Sequence, residues 1–169
     1  MNNIDMDEFL EAREAQRQRC VQEQELIKHL RTNTPLVRPL WDKSEAAVIF
    51  NDIGDEILKS GLLLYSASLV DVWQGLYRPD IYDGNTLWDD LHSQRKIALV
   101  INSWLNKKPL TPPFFVKHLK EPLGLVADGK HRLTVARYMV ADELPFWVKK
   151  DEANWVTTSI PNAVLEIEI

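Results

Sequence analysis

Proline placement constrains this chain more than any other feature. Proline lacks an amide donor and holds the residue before it extended, so a helix interior excludes it. From Asp5 to about Arg31 there is neither proline nor glycine, and Glu, Gln, Arg, Ala and Leu dominate. That stretch predicts one long exposed helix. Pro35 and Pro39 stop it and predict a linker or extended arm over Thr32–Asp42. A second helix is predicted from Leu87 to about Asn106, because Leu87, Leu91, Ile97, Ile101, Trp104 and Leu105 recur at helical spacing. Asp83-Gly84 reads as a turn before it, and Thr86 with Asp89 as a capping box. Pro109, Pro112 and Pro113 then force an extended chain.

Beyond those prolines, Phe114–Val116 and Gly124–Ala127 read as strands joined by a polar turn at Lys117–Pro122, which predicts a hairpin. A helix follows from Lys130 to about Ala141, with Leu133, Ala136 and Val140 on one face, and then strands at Leu144–Val148 and Val164–Ile169. Earlier, Ala46–Phe50 reads as a short strand or helix start and Asp55–Leu64 as helical. These elements predict an α/β or α+β fold: a small mixed sheet flanked by helices, with an N-terminal helical extension. The expected division is 1–42, helix and linker, and 43–169, the main domain. In heptad rows, Met6, Arg13, Cys20 and Ile27 share one position and Phe9, Gln16, Glu23 and Leu30 the other. The ends are apolar and the middle polar, which predicts a helix docked at its ends, with a dimerisation helix as the alternative.

The 169 residues suffice for one core, and a net charge of -5 gives the field the wrong sign for coating nucleic acid or an anionic membrane. Any anion site must therefore be local. Cys20 is the single cysteine, so neither an intramolecular disulfide nor a cysteine-based zinc cluster can form. That fits a reducing compartment. Met1–Leu10 carries Asp5, Asp7 and Glu8 and lacks a basic and apolar export signal, so the expectation is a cytoplasmic protein. The apolar run Gly61–Val70 falls short of the roughly 20 residues that span a bilayer and is expected in the core, which predicts no membrane association.

Asp128-Gly129-Lys130-His131-Arg132 is the run that carries chemistry. Asp128 suits a helix cap, and Gly129 lets a backbone or ligand approach closely. Lys130, His131 and Arg132 then place cations at the helix end whose dipole favours anions, where carboxylates would be usual. A bound phosphate or carboxylate would justify them. The plainer alternative is an Asp128–Arg132 pair with Lys130 and His131 in solvent. A metal held by His131 and Asp128 is the weaker reading, since no His-x-x-x-His or cysteine pair accompanies them.

The run PLTPPFFVKHLKEPLGLVADGKHRLTVARYMVADELPFWV, Pro109 to Val148, resembles the core of the ParB/sulfiredoxin superfamily. The shared order is a Pro-rich lead into a strand, a strand ending in Asp-Gly-x-His-Arg, a helix, and a strand entered through Leu-Pro. Asp128, Gly129, His131, Arg132, Ala136 and Pro145 stand where that pattern wants them. The resemblance implies a small mixed sheet over about Leu87–Val148 and a turn that holds nucleotide phosphates. Two departures restrict it. Sulfiredoxins carry a catalytic cysteine where Lys130 stands, so peroxiredoxin repair is not expected, and Cys20 is no replacement. Partitioning ParB proteins have Gly-Glu-Arg-Arg where Gly129-Lys130-His131-Arg132 stands, which puts CTP specificity in doubt, and Lys149–Ile169 is too short for their helix-turn-helix domain.

The expectation is therefore a protein that binds a nucleotide, ATP or CTP, at Asp128, Gly129, Lys130, His131 and Arg132, with Mg2+ and slow hydrolysis in which Asp128 is the candidate catalytic carboxylate. The alternatives are a non-catalytic interaction or inhibitor protein, whose partner is another protein, and a ParB-like DNA nuclease, which the acidic charge disfavours. Asp52, Asp55, Glu56, Asp83, Asp89 and Asp90 are further candidate carboxylates. His118, beside Lys117 and Lys120, is a candidate addition to the anion site or a plain surface turn, and Trp73, Tyr77 and Arg78 could frame a pocket or partner surface. Most of the six tryptophans are expected in the core.

Overall fold

The computed structural model describes residues 6–50, 53–54, 59–79, 87–88 and 93–169. Helix α1 spans Met6–Thr32. A single 3-10 turn at Glu45–Ala47 follows, then strand β1 (Leu62–Ser68), helix α2 (Leu69–Gln74), helix α3 (Gln94–Leu105), strands β2 (Phe114–Lys117) and β3 (Gly124–Asp128), helix α4 (Lys130–Tyr138), strand β4 (Glu143–Lys149), helix α5 (Asn154–Ser159) and strand β5 (Val164–Glu168). The five strands form one sheet in the order β3-β2-β4-β1-β5. Its neighbours are antiparallel except β2 and β4, which run parallel. The mixed α+β class expected from the sequence is the class observed.

Strand β4 is the centre of this sheet, and its side chains alternate between two cores. Phe146 and Val148 pack with Phe115, Tyr65 and the helices, whereas Trp147 packs with Phe114, Leu62, Leu64 and Phe50. Pro145 would ordinarily be excluded from an interior strand. The Trp147 amide donates to the Pro113 carbonyl on the β2 side, and two residues earlier the proline nitrogen points the same way. The β2 ladder begins only at Phe114 opposite Trp147, so no hydrogen bond is lost there.

Apolar runs covered on both faces account for one departure from the sequence reading. Residues 62–64 are not helical: LLLYSAS forms β1, buried in all but its last residue between β4 and β5. A continuous apolar run suits a doubly covered strand as well as a buried helix, and pairing decides between them. The predicted helix at Leu87 also starts later. Leu87 and Trp88 lie in a turn, the Trp88 indole donating to Thr34 Oγ1 at 2.8 Å, and the capping residue is Ser93, whose Oγ accepts from the Lys96 amide. Thr86, Asp89, Asp83-Gly84 and Leu91 lie outside the described residues, as do 55–58 of the expected earlier helix.

Helix α4 stops at Tyr138, short of Ala141, and Val140 is 80% exposed rather than on the buried face. Its φ of +54° is a left-handed conformation for a β-branched side chain, which costs on the order of 1–3 kcal/mol. The short helices α2 and α5 had no separate signal in the sequence.

The long helix touches the body only near its C-terminal end. Leu30 is buried, Leu26 and Ile27 pack against the same core, and Arg95 of α3 donates through Nε and Nη2 to Glu23 at 2.7 and 2.8 Å. Residues 6–22 are all exposed, so the expectation of docking at both ends holds for one end only. Of the tryptophans, Trp104, Trp147 and Trp155 are buried and Trp41, Trp73 and Trp88 pack partly buried against the larger core, as expected. Among the described residues no helix is long and apolar enough to cross a membrane.

Phe115 is fully buried and lies 5.0 Å from Phe146, at the junction of β2, β4 and the helices. Phe115→Ala is expected to lower the unfolding free energy by about 3–5 kcal/mol, read as a shift of the urea midpoint with an unchanged slope.

Candidate anion site at the junction of β3 and α4

The chain turns from β3 into α4 at Gly129, and the turn is possible because glycine stands there. Its φ is +86°, and a Cβ would lie 2.7 Å from the Pro113 Cα and 2.8 Å from Arg132 Nη2. Pro113 closes one side of the turn and Arg132 the other. Gly129 occupies the capping position of α4 and has no side chain to offer the first-turn amides, so the expectation that Asp128 caps the helix is corrected. Asp128 reaches forward instead: its Oδ2 accepts from Arg132 Nη2 at 2.7 Å, with side chains only 16% and 19% exposed.

That contact is the plainer alternative for this motif, and it is present. It does not exhaust the arginine, because Asp128 engages it through Nη2 and the buried Nε has no hydrogen-bond partner. A cavity of about 250 Å³ opens beside the pair. Asp128, Gly129, His131 and Arg132 line it, and α3 adds Lys96 and Ser103. Lys96, Leu99, Val100 and Ser103 are spaced so that one face of α3 supplies the opposite wall. Lys130 is not among the lining residues, so four of the five predicted residues share the cavity.

Its electrostatics differ from those of the whole chain. Lys96 and Arg132 face one carboxylate, Asp128, and the positive end of the α4 dipole adds to them. The His131 ring carries at least one N–H donor on the same wall. The sequence reading missed Lys96 and Ser103, since nothing in a heptad-like helix marks the residues that face another helix's start.

The other predicted groups lie elsewhere. His118, Lys117 and Lys120 sit at the far end of β3, about 13 Å from Asp128 by strand geometry, and line a separate surface cavity with Trp155. His118 Nδ1 accepts from the amides of Lys120 and Glu121, and its ring lies 4.4 Å from Tyr77, so it is a turn-forming residue. Arg78 stands over Tyr77, and Arg137 of α4 lies 3.8 Å above the Trp73 ring; neither aromatic lines the cavity at Asp128. Asp52, Asp55, Glu56, Asp83, Asp89 and Asp90 lie outside the described residues. Among the described residues no three His, Cys, Asp or Glu side chains are grouped to hold a metal ion.

Gly129→Ala is expected to cost at least about 2 kcal/mol of stability, from the positive φ together with the overlap on the Pro113 backbone. Gly54→Ala, where a Cβ meets nothing within 4 Å, is the control, expected to shift the denaturation midpoint little. No family model, curated protein or solved structure matches the chain.

Proposed function

We propose that this protein binds a nucleotide through its phosphates in the cavity between α3 and the start of α4. One observation carries the reading: α3 brings Lys96 to the same cavity as Arg132 and His131, against a single carboxylate, in a chain whose net charge is -5. The likeness of the Asp128–Arg132 run to the nucleotide-holding turn of the ParB/sulfiredoxin superfamily supports the same ligand class.

Size limits what the cavity takes. Pockets that enclose drug-sized ligands run from about 300 to 1,000 Å³, so 250 Å³ suits one or two phosphoryl groups, with ribose and base outside. Arg132 supplies planar donors and Lys96 a movable charge, and Gly129 adds no side chain of its own to the cavity wall. Asp128 acts as a positioning residue that fixes the guanidinium.

The cavity does not fit a protein-bound metal. Asp128 is its one carboxylate among the described residues, and Arg132 already occupies an oxygen of it. Mg2+ would arrive on the nucleotide's own phosphates. Binding, rather than hydrolysis or DNA cleavage, is the function these residues support.

Calorimetry with ATP, CTP, GTP and ADP, each with and without Mg2+, tests this. At least one triphosphate should bind, and Lys96→Ala, on an exposed position of α3, should weaken it roughly five- to tenfold, about 1 kcal/mol or slightly more. Arg132→Lys should weaken it further, because the planar fork is lost. Absence of binding to every nucleotide, or an affinity unchanged from the unaltered protein in both variants, would sink the proposal.

A further inference from the structure

Among the described residues, the exposed part of α1 and a groove on the body are two apolar surfaces with no partner. On the helix, Met6, Phe9 and Leu10 are 67%, 52% and 52% exposed and follow the i, i+3, i+4 spacing of an anchor set that seats a helix in a groove. On the body, Leu36, Val37 and Trp41 of the linker and Met139, Val140 and Pro145 beyond α4 line a groove of about 690 Å³. Its apolar rim is as bare as the arm: Leu36 is 86% and Val140 80% exposed. Val140 is held there at φ +54°, in a backbone conformation that turns the chain out of α4.

A chain cannot seat its own arm. Phe9 lies about 34 Å along the helix axis from Thr32, and Leu36 is only four residues beyond Thr32, at most about 14 Å away. The two stay at least about 20 Å apart. Charges agree with a second copy as the occupant: Arg13 and Arg17 lie on the same helix face as the three anchors and can face Asp142 and Glu143 of the groove. Each seated arm covers on the order of 400 Å² on either side, so two reciprocal junctions total roughly 1,600 Å², the size of a standard stable interface.

We propose that the protein forms a closed, two-fold dimer by arm exchange, each α1 seating Met6, Phe9 and Leu10 in the other copy's groove between the linker and the residues after α4. The pairing is isologous, so it closes at two copies. It differs from an arm-on-arm coiled coil, which the polar middle of α1 disfavours.

Sedimentation equilibrium of the full chain tests this with two variants on opposite surfaces. The unaltered chain should have twice the chain mass. Phe9→Glu with Leu10→Glu should raise the dimer dissociation constant by at least about tenfold, and so should Leu36→Asp with Val140→Asp. Each altered side chain is at least half exposed, so folding should survive, and circular dichroism checks it; Leu36→Asp alone is the fallback. Mixing the two variants should restore hetero-dimer, since one arm and one groove remain intact. A monomer at all concentrations overturns the proposal. So does a dimer that the arm variant breaks and the groove variants leave unchanged, because that result is an arm-on-arm pair.

Discussion

Everything about the candidate site depends on how closely the backbone passes at Gly129 and Pro113. The proline carbonyl accepts from Trp147, which holds the Pro-rich lead against β4, and its Cα then leaves no room for a Cβ across the turn. With φ at +86°, the chain leaves β3 and enters α4 without a capping side chain. The helix start is thereby aimed at α3. A residue of any other type would have to push Pro113 away, and with it the first pairing of β2 to β4. Sheet register and site geometry are one constraint seen from two sides.

The Asp128–Arg132 pair is best understood within that constraint. Taken alone it is an ordinary i, i+4 ion pair, and largely enclosed pairs seldom add net stability over apolar packing. Its structural effect is directional: the carboxylate takes one terminal nitrogen and keeps the guanidinium beside the cavity that Lys96 also lines. A cluster of cations without such a brace would spread into solvent.

Much of the fold was legible because it obeys short-range rules. Prolines bounded α1 and the lead into β2, and short apolar runs on either side of a polar turn marked β2, β3 and β4. Asp-Gly-x-His-Arg marked the turn into α4. What was not legible depends on contacts between distant segments. LLLYSAS reads as helix or strand until β4 and β5 pair with it. Ser93 became the cap of α3, whereas the Thr86 and Asp89 pattern lies outside the described residues. Lys96 and Ser103 joined the site only because α3 packs against α4, and no local pattern in α3 announces which of its faces meets another helix. His118 took the plainer of its two readings, a surface turn: a five-residue strand separates it and its basic neighbours from the anion site.

The most direct test of the phosphate cradle follows backbone amide resonances while ATP is added to the full chain. The largest shifts are expected at Gly129, Lys130, His131 and Arg132, with a second group on α3 from Lys96 to Ser103, and smaller changes with AMP than with ATP. Shifts confined to the β2–β3 turn around His118, or none at saturating nucleotide, would contradict it.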